Sequence, residues 1–370
     1  MSLSLLIAGG GTGGHLYPGI AVARELLSRR GDATVTFVGT TAGIEARVIP
    51  REGFPLEVIR SAGLKGKSLT ALARGLALLP LGLIDAARVI GRTRPSVVVG
   101  VGGYSSGPVV MLAAIRGIPT LLMEQNAIPG LTNRSLARFV RAAAVTYEQA
   151  VPFFGGKAFI AGNPVRPEFF QSASGEATAR QATYDEHATP PDAARVLVFG
   201  GSQGAHAINM AMVEAAARLA AAVPRLAVTH QTGERDVEMV RDGYRRAGLE
   251  ARVEPFLFAM DREMKSADLV VCRAGATTLA ELTAAGRPSI LIPLPTATDD
   301  HQRKNADALV AAGAARMIEQ RDLTGERLAS AIVTLAADAL TRGDMSNRAR
   351  AMARPDAAKV IVDKVLELAR

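Results

Sequence analysis

The segment Leu3-Ser4-Leu5-Leu6-Ile7-Ala8-Gly9-Gly10-Gly11-Thr12-Gly13-Gly14-His15 begins with an apolar strand pattern and runs into a glycine-rich turn. A helical pattern follows near Pro18–Arg29, so the turn is expected to join a strand to a helix. Glycine permits positive φ angles and lets the backbone approach a ligand closely. The N-terminus of the following helix offers unpaired N–H groups to an anion. This pattern predicts a ligand-binding turn at the start of a parallel α/β sheet.

The second half of the chain repeats this order of strand, glycine-rich turn and helix. A strand at Arg195–Gly200 leads into the turn Gly200-Gly201-Ser202-Gln203-Gly204-Ala205, and the Ala-rich helix 207–222 follows. Further strands are predicted at Thr34–Gly39, Val97–Val101, Thr120–Glu124, Ala142–Thr146, Leu226–His230, Arg252–Glu254, Leu269–Cys272 and Ser289–Pro293. Strands that alternate with helices in this way are typical of doubly wound parallel sheets.

The length of 370 residues fits two domains of this kind. We predict an N-terminal domain at 1–163 and a C-terminal domain at 164–345. The segment 346–370 has apolar residues at helical spacing, so it is expected to form a last helix that could pack back on the first domain. The polar, small-residue stretch Gln171–Ala194 is interpreted as a linker or surface excursion.

Composition excludes several classes of protein. A single Cys272 cannot form an internal disulfide, which excludes a disulfide scaffold. The net charge of +8 favours anionic partners such as nucleic acid, acidic lipid or a phosphorylated substrate. Because only 4% of residues are aromatic and Trp is absent, a base-stacking surface is disfavoured and no nucleic-acid partner is predicted.

Two stretches bear on membrane insertion. The segment Ser96–Ile115 is uncharged and long enough for a span, but its glycines and Pro108 favour a strand, a loop and a helix instead. No basic residue precedes Arg24, so a signal peptide is not expected.

The glycine-rich turns could also indicate a nicotinamide dinucleotide site or a Walker-type ATP site. Gly9, Gly11 and Gly14 match the G-x-G-x-x-G spacing, but that fingerprint needs an acidic residue at the end of the second strand, and none occurs before Glu45. The corresponding strand of the second half ends in Thr229–Thr232, again without a carboxylate. A nicotinamide cofactor is therefore disfavoured. The second turn lacks Gly-Lys-Ser/Thr, which disfavours ATP hydrolysis of the Walker type.

Several side chains allow both a structural and a functional interpretation. His15 is either a polar helix-start residue or a general base, because histidine titrates close to neutral pH. The Ser202 turn either packs a helix on a strand or holds a diphosphate. Thr278 and Glu281 have the spacing of a capping box, whereas the alternative has Glu281 accept both ribose hydroxyls of a nucleotide.

Polar residues follow the strand that ends near Pro293. Asp299 or Asp300 can cap the next helix, while His301 and Gln302 could bind hydroxyls of a sugar. The Asp pair invites a metal interpretation, but no other carboxylates or histidines cluster with it at ligand spacing, so no metal is predicted.

The segment Leu64–Ile90 combines basic and apolar residues. Lys65 and Lys67 precede a stripe at helical spacing, namely Leu69, Leu72, Leu76, Leu79 and Leu83. The stripe is either an ordinary core-facing helix or an exposed surface that docks on an anionic membrane.

Taken together, these motifs resemble the MurG family, the N-acetylglucosaminyltransferases of peptidoglycan synthesis, which have the GT-B fold. The resemblance covers nearly the whole chain and rests on six motifs in the family's order: Gly10–His15, Gly102–Pro108, Glu124–Asn126, Gly162–Arg166, Gly200–Gly204 and Arg273–Glu281. It implies two Rossmann-like domains that face a central cleft.

The resemblance also implies the reaction. N-acetylglucosamine would move with inversion from UDP-N-acetylglucosamine to lipid I, which is undecaprenyl-diphosphoryl-N-acetylmuramoyl pentapeptide, and the product would be lipid II. The enzyme would need no cofactor and would lie peripherally on the cytoplasmic face of the bacterial inner membrane, in contact with anionic lipid. Roles in cell-wall biogenesis, cell shape and cell division would follow.

Residue roles carry over at matching positions. His15 is the first candidate for the catalytic base, with Glu124 and Tyr104 as alternates. The implied contacts to UDP-N-acetylglucosamine are Thr12, Gly13, Gly14, Asn126, Arg166, Ser202, Gln203, Leu257, Ala276, Thr277, Thr278, Leu279, Ala280, Glu281, His301 and Gln302. The implied contacts to the acceptor diphosphate are Gly11, Gly14, Gly103 and Ser105.

Within the donor set, the resemblance implies that Leu257 holds the uracil through its backbone and that Glu281 holds the ribose. His301 stands where some family members have Gln, so the sugar contact could come from His301 or from Gln302. The rival interpretations are a GT-B enzyme with another acceptor, a nucleotide-sugar epimerase of related fold, a nicotinamide oxidoreductase and a basic scaffold without chemistry.

Overall fold

The computed structural model describes residues 3–61, 69–170, 194–201 and 203–370 of the chain. The contacts divide it into two compact units. The first comprises Met1–Arg166 and Arg354–Arg370, and the second is Pro167–Ala353. The sequence placed the boundary after residue 163 and the start of the last segment at 346. The structure moves these points to 166 and 354.

The first unit is built on a parallel sheet in the order β3-β2-β1-β4-β5-β6-β7. Its strands are β1 (Ser4–Gly9), β2 (Thr34–Gly39), β3 (Leu56–Val58), β4 (Val97–Gly102), β5 (Thr120–Glu124), β6 (Ala142–Val145) and β7 (Ala158–Ile160). Its helices before the chain crosses to the second unit are α1 (Gly13–Arg29), α2 (Glu45–Arg51), α3 (Leu69–Thr93), α4 (Ser106–Ile115) and α5 (Leu131–Leu136). Short 3₁₀ turns follow at Glu148–Phe153 and Gly155–Lys157.

Both faces of this sheet are covered, as an all-parallel sheet requires. Side chains alternate along β1, so Leu5 and Ile7 enter one apolar core while Leu6 and Ala8 enter the other. This explains why the central strands read as continuous apolar runs and not as alternating patterns.

The second unit repeats this architecture in the order β10-β9-β8-β11-β12-β13. Its strands are β8 (Ala194–Phe199), β9 (Leu226–Gln231), β10 (Ala251–Glu254), β11 (Leu269–Cys272), β12 (Ser289–Leu291) and β13 (Ala315–Met317). Its helices are α6 (His206–Ala222), α7 (Val237–Ala247), α8 (Met260–Ser266), α9 (Ala276–Ala285), α10 (His301–Ala311), α11 (Gly325–Ala337) and α12 (Ala339–Met352). Its 3₁₀ turns are Pro167–Phe169, Thr298–Asp300 and Gln320–Asp322. The apolar core packs α6 and α11 against β8 through residues such as Val198, Met212 and Ile332.

The last helix, α13 (Ala357–Leu368), belongs to the first unit and packs on α1. Ile361, Val362 and Val365 are fully buried and lie in the same core as Leu5 and Ile7. Burying three such side chains stabilises the unit by several kcal/mol, at about 1.5–3 kcal/mol each.

The predicted α/β class and the pairing of two doubly wound domains are confirmed. The segment Ser96–Ile115 forms β4 and α4, as its glycines indicated. The strands β3, β7 and β13 were not predicted, because each is a three-residue strand at the edge of its sheet and lacks the fully buried apolar run that marks the equally short β12. Helix α1 begins at Gly13, five residues before the predicted start. Within the described part of the chain, no helix has both the length and the apolar character that crossing a bilayer requires.

Candidate active site

The predicted site segments of each unit follow the carboxyl ends of its parallel strands. In the first unit, Gly10–His15 follows β1, Gly103–Ser106 follows β4 and Gln125–Asn126 follows β5. Strand order reverses between β1 and β4, since their connections run to opposite sides. Open α/β sheets bind ligands at such a switch point.

The first glycine-rich turn presses against the loop after β4. Gly9, Gly10 and Gly11 have φ angles of +143°, +148° and +84°. The N–H of Gly10 donates to the carbonyl of Gly102 at 3.2 Å, and a Cβ on Gly9 would lie 2.3 Å from that same oxygen. Only glycine fits such an approach.

His15 lies at this contact, in the first turn of α1. Its Nδ1 lies 3.1 Å from Oε1 of Gln125, and Nε2 of Gln125 donates to the carbonyl of Val101 at 3.2 Å. Because the Val101 carbonyl can only accept, it fixes the orientation of the Gln125 amide, so Oε1 accepts from Nδ1–H of His15. In the neutral imidazole, Nε2 is then the basic nitrogen. This arrangement suits a general base.

Glu124 is nearly fully buried, with 2% of its surface exposed. Its carboxylate accepts from the backbone N–H of Asn126 at 3.0 Å, its side chain at 3.1 Å, Gly130 N–H at 3.1 Å and Asn133 Nδ2 at 2.8 Å. Four donors on a buried carboxylate favour a structural role. The geometry therefore makes Glu124 a positioning group for Asn126 and disfavours it as the base.

The other first-unit candidates lie near the same edge. Tyr104 is 48% exposed, and its carbonyl accepts from Oγ of Ser61. Arg166 is exposed, and its guanidinium lies 5.8 Å from the ring centre of Tyr17 on α1. Thr12 is the N-cap of α1 without a side-chain capping bond, and Gly13 and Gly14 open the helix. Their contacts to the donor stay predictions.

The predicted diphosphate contacts of the first unit differ in how much of each residue is accessible, and all of them stay predictions. The N–H of Gly11 already donates to Oε2 of Glu45 at 2.8 Å. Gly103 packs on the backbone of Gly10, and Ser105 is 3% exposed. The N–H of Gly11 is thus engaged by the protein although the residue is exposed, Gly103 is half-buried, and Ser105 is buried.

In the second unit, the turn after β8 packs on the segment after β9. A Cβ on Gly204 would lie 1.7 Å from the carbonyl oxygen of Thr232, which only glycine avoids. Gln203 is exposed beside it. Ser202, the predicted diphosphate contact, lies outside the described residues.

Gln231, at the end of β9, bridges two of these segments. Its Nε2 donates to the carbonyl of Gly201 at 2.7 Å, and its Oε1 accepts from the N–H of Leu257 at 2.9 Å. The side chain is 2% exposed. Gln231 thus connects the glycine-rich turn to the loop after β10, and it accepts from the N–H of Leu257, the residue whose backbone is predicted to hold the uracil.

Helix α9, which follows β11, begins at Ala276, whereas a capping box would need Thr278 to be the residue just before the helix. Gly275 is the N-cap of α9, and Thr278 lies inside the helix, so a capping box of Thr278 and Glu281 is wrong. Leu279 is fully buried and its N–H donates to the carbonyl of Gly275, which disfavours it as a ligand contact. Ala276, Thr277, Thr278, Ala280 and Glu281 are half-buried on the same helix.

Glu281 lies near the end of β11. Burial, and to a smaller extent the negative charge of Glu281, raise the pKa of the Cys272 thiol well above its usual range. Cys272 is fully buried and thus unreactive at neutral pH.

The loop after β12 is held in an unusual backbone conformation. Asp299 and Asp300 have φ angles of +54° and +56°, a region that costs non-glycine residues about 1–3 kcal/mol each. Asp300 pairs with Arg303 at 2.5 Å, and Oε1 of Gln302 accepts from the N–H of Leu294 at 3.0 Å. His301 begins α10, with Asp300 as N-cap but without a side-chain capping bond.

Arg273 holds the start of the loop after β12 through hydrogen bonds. It is 9% exposed and donates to the carbonyls of Ile292 and Pro293 and to Oε1 of Gln320. Burial lowers the pKa of its guanidinium, which still stays charged at neutral pH. A buried positive charge therefore lies at the carboxyl edge of the second sheet.

A chain of buried polar groups lies beneath the second turn. Nδ1 of His230 lies 2.7 Å from the Tyr244 hydroxyl, and its Nε2 lies 3.0 Å from Oδ1 of Asn209. Nδ2 of Asn209 donates to the Thr232 carbonyl and to Asp236. These donations fix Oδ1 of Asn209 as an acceptor, so His230 is protonated on Nε2 and accepts from Tyr244.

No cluster of three or more His, Cys, Asp or Glu side chains with the geometry to hold a metal ion occurs among the described residues. The functional groups described at the two edges are backbone N–H groups, amides, an imidazole, carboxylates and guanidinium groups.

Comparisons with known proteins identify the family of the chain. Residues 5–145 match the glycosyltransferase family 28 N-terminal domain, and residues 195–361 match the C-terminal domain of the same family. The chain belongs to glycosyltransferase family 28. The resemblance to MurG enzymes is also confirmed.

The relatives are similar over their full length. One from Anaeromyxobacter sp. (strain Fw109-5), named UDP-N-acetylglucosamine--N-acetylmuramyl-(pentapeptide) pyrophosphoryl-undecaprenol N-acetylglucosamine transferase, is 50% identical over 100% of this chain and 94% of its own. A relative with the same name from Pelobacter propionicus is 49% identical over 98% and 99%. The crystal structure of Acinetobacter baumannii MurG superimposes with a TM-score of 0.79 at 30% identity, covering 99% of both chains.

A UDP-GlcNAc 2-epimerase from Neisseria meningitidis gives a TM-score of 0.69 at 12% identity, over 99% of this chain and 100% of that one. At that identity the likeness shows the fold alone.

Sequence reasoning missed four of the groups that shape the site: Glu45, Gln125, His230 and Gln231. Gln125 lies inside the quoted motif Glu124–Asn126, and His230 and Gln231 are adjacent polar residues at the end of a buried strand. Two adjacent polar residues at the end of an otherwise apolar strand could have indicated that His230 and Gln231 belong to the site. Glu45 gave none, because it reaches its partners from a separate helix.

The buried His230 predicts an acid-sensitive second unit. Burial lowers its pKa from 6.5 to about 3, although the charge of Asp236 acts in the opposite direction. Between these values the unfolded chain binds a proton that the folded chain does not. The free energy of unfolding should therefore fall as the pH drops from 6.5 towards 3, by up to about 1.4 kcal/mol per pH unit.

Urea unfolding at a series of pH values checks this. His230→Gln should flatten the slope between pH 6 and 4, while Tyr244→Phe should lower stability at every pH and keep the slope, because it retains the imidazole. A His230→Gln variant with the wild-type slope would show that other groups cause the acid sensitivity.

Proposed function

We propose that this chain transfers N-acetylglucosamine from UDP-N-acetylglucosamine to lipid I and so forms lipid II with inversion at the anomeric carbon. The observation that carries the proposal is identity of about half of all residues to relatives named for this activity, over the entire chain. Each unit also offers suitable groups: the first has an imidazole oriented by Gln125, and the second has a glycine-rich turn whose Gly201 carbonyl is held by Gln231.

The second unit is proposed to bind the donor. Leu257 lies beside the glycine-rich turn through Gln231, so a nucleotide held at Leu257 would bring its diphosphate to the N–H groups of that turn. Glu281 is proposed to accept the ribose hydroxyls, and His301 and Gln302 to bind the sugar. The buried charge of Arg273 adds positive potential to this edge.

The first unit is proposed to supply the base. Nε2 of His15 takes the proton from the acceptor hydroxyl while the hydroxyl oxygen attacks the anomeric carbon. The bond from that carbon to the diphosphate oxygen breaks on the opposite face, and UDP departs with the electron pair. Preorganised N–H groups of the second turn stabilise the charge that grows on the diphosphate. Asn126, held by Glu124, and Arg166 are proposed to contact the donor from this unit.

The direct test is transfer of labelled N-acetylglucosamine to a short-chain lipid I analogue by the purified chain. Product should form with UDP-N-acetylglucosamine and not with UDP-glucose. UDP should raise the thermal unfolding midpoint, while NADH should leave it unchanged. A chain that epimerises the free nucleotide sugar but transfers nothing to the analogue would refute the proposal.

Two substitutions should separate binding from chemistry. His15→Ala should lower kcat by about 10²–10⁴-fold with little change in the donor KM, because it removes a base and leaves the nucleotide contacts. Glu281→Ala should instead raise the donor KM, by about tenfold or more, because it removes a charge-assisted acceptor from the ribose. Steady-state kinetics with varied donor gives both values.

Arg246→Ala is the control for both variants, since Arg246 is exposed on α7 and belongs to none of the predicted site segments. It should match the wild type. A His15→Ala variant with near-normal kcat would remove His15 as base, and an unchanged donor KM in Glu281→Ala would remove the ribose contact.

The chain is also proposed to contact the cytoplasmic face of an anionic membrane through α3. Leu81, Leu83 and Ile84 are 36%, 39% and 46% exposed, and the exposed Arg88 lies on the same helix. Lys65 and Lys67 lie outside the described residues, and for Leu69, Leu72, Leu76 and Leu79 only the backbone is described. Apolar side chains beside cations are what an anionic bilayer surface attracts.

Flotation with vesicles of phosphatidylglycerol and phosphatidylethanolamine tests this surface. The double variant Leu83→Asp and Ile84→Asp should bind several-fold less chain than the wild type, because it adds two negative charges to the apolar patch. Leu340→Asp, at a leucine that is 88% exposed in the second unit, serves as control and should float normally. Equal flotation of all three would contradict a role for α3.

A further inference from the structure

Three buried polar side chains of the second unit take no part in the proposed chemical steps. They are Tyr244 on α7, His230 on β9 and Asn209 near the start of α6. His230 and Asn209 have no exposed surface, and Tyr244 is 2% exposed. Burying polar groups is costly unless each finds a hydrogen-bond partner, so the arrangement of this group is tightly constrained.

The hydrogen bonds of the group run in one direction. The Thr232 carbonyl can only accept, and it lies 3.0 Å from Nδ2 of Asn209, so Oδ1 of Asn209 faces Nε2 of His230 at 3.0 Å. His230 therefore donates from Nε2, and its Nδ1 accepts from the Tyr244 hydroxyl at 2.7 Å. Burial lowers the pKa of His230 to about 3, although the charge of Asp236 acts in the opposite direction, so the imidazole is uncharged at neutral pH.

Asn209 connects this group to the glycine-rich turn that precedes its own helix. A Cβ on Gly204 would lie 1.7 Å from the Thr232 carbonyl oxygen that accepts from Asn209. At the next residue, a Cβ on Gly233 would lie 2.2 Å from the carbonyl oxygen of Gln203. Thr232 and Gly233 thus form the surface on which Gln203 and Gly204 rest, and Asn209 holds one side of that surface.

The same amide also holds the start of α6. Nδ2 of Asn209 donates to Asp236 at 2.8 Å, and the Asp236 carboxylate lies 2.9 Å from Nδ1 of His206, the first residue of α6. If the amide turned over, its oxygen would face the Thr232 carbonyl and the Asp236 carboxylate, and both hydrogen bonds would be lost. The Nε2–H of His230 opposes this, because it needs Oδ1 of Asn209 where it now lies.

We infer that His230 is a positioning residue for the diphosphate of the nucleotide donor: its Nε2–H fixes the amide of Asn209, and that amide holds the contacts that place the second glycine-rich turn. Backbone N–H groups stabilise a bound anion best when they are already in place before it arrives. The inference rests on the proposed function for the identity of the nucleotide donor. It deepens that function by giving a role to a side chain that is too deeply buried to touch a substrate.

The test compares the dissociation constants of UDP and uridine, measured on the full chain by titration calorimetry. Uridine lacks the diphosphate, so the ratio of the two constants, the UDP preference, reports what the turn contributes. His230→Leu removes the hydrogen bond to Asn209. It should reduce the UDP preference by about tenfold, the equivalent of one hydrogen bond to a charged group, with little change in uridine affinity.

Two further variants separate positioning from a general loss of core stability. Tyr244→Phe deletes a hydroxyl from the same buried group but leaves the hydrogen bond from His230 to Asn209. Its UDP preference should match the wild type even though its free energy of unfolding falls. His230→Gln can donate from its own Nε2 to Asn209, so it should restore most of the preference that His230→Leu loses.

A wild-type UDP preference in His230→Leu would overturn the inference, and so would an equal loss of preference in Tyr244→Phe. If circular dichroism shows that His230→Leu does not fold, Asn209→Ala carries the same expectation, because it deletes the amide that His230 orients. A wild-type UDP preference in Asn209→Ala would then overturn the inference.

These titrations need no transfer reaction. A wild-type chain that prefers UDP to uridine but transfers nothing to the lipid I analogue would refute the proposed function without affecting the role of His230. A wild-type chain that binds UDP no more tightly than uridine would instead overturn the inference, because the second turn would then hold no diphosphate.

Discussion

The backbone comes so close to its neighbours after the first strand of each sheet that only glycine fits there. In the first unit, Gly9 and Gly10 lie against Gly102. In the second, Gly204 lies against the carbonyl of Thr232. These contacts bring the N-termini of α1 and α6 to the edge where the strands end, and the remaining site residues are arranged around them. Parallel strands make this possible because their carboxyl ends share one edge.

Buried side chains with fixed hydrogen bonds then hold each edge in place. Gln125 orients His15, Glu124 orients the Asn126 segment, and Gln231 joins two loops of the second unit. Each is about 2% exposed and bonded to backbone groups or to a neighbouring side chain. An unpaired buried polar group costs about 1–3 kcal/mol, so such networks tolerate few alternative arrangements. The candidate site residues beside them, such as His15 and Asn126, are thereby held in one orientation.

The sequence predicted most of the buried strands and the two glycine-rich turns, because both signals are local. It failed for the short edge strands β3, β7 and β13, which lack a fully buried apolar run. It also failed for the capping box at Thr278, because α9 starts two residues earlier, at Ala276. Partners distant in sequence were equally invisible: His15 and Gln125 are 110 residues apart, and Gly11 and Glu45 are 34 apart. The lack of an acidic residue at the end of β2 disfavoured a dinucleotide. In the structure the carboxylate of Glu45 lies beside the end of β2, but it already accepts hydrogen bonds from Gly11 and Thr40.

The packing of α13 on α1 has a consequence for how the chain is made. During synthesis, residues 3–166 leave the ribosome first, but their core is completed by Ile361, Val362 and Val365 near the end of the chain. The second unit is complete once Ala353 has emerged, so it can close its core while the first unit still lacks a helix. Domains usually fold in the order of their synthesis. Here the core beneath His15 needs side chains of α13, so the first unit completes its packing only after the second unit has been synthesised.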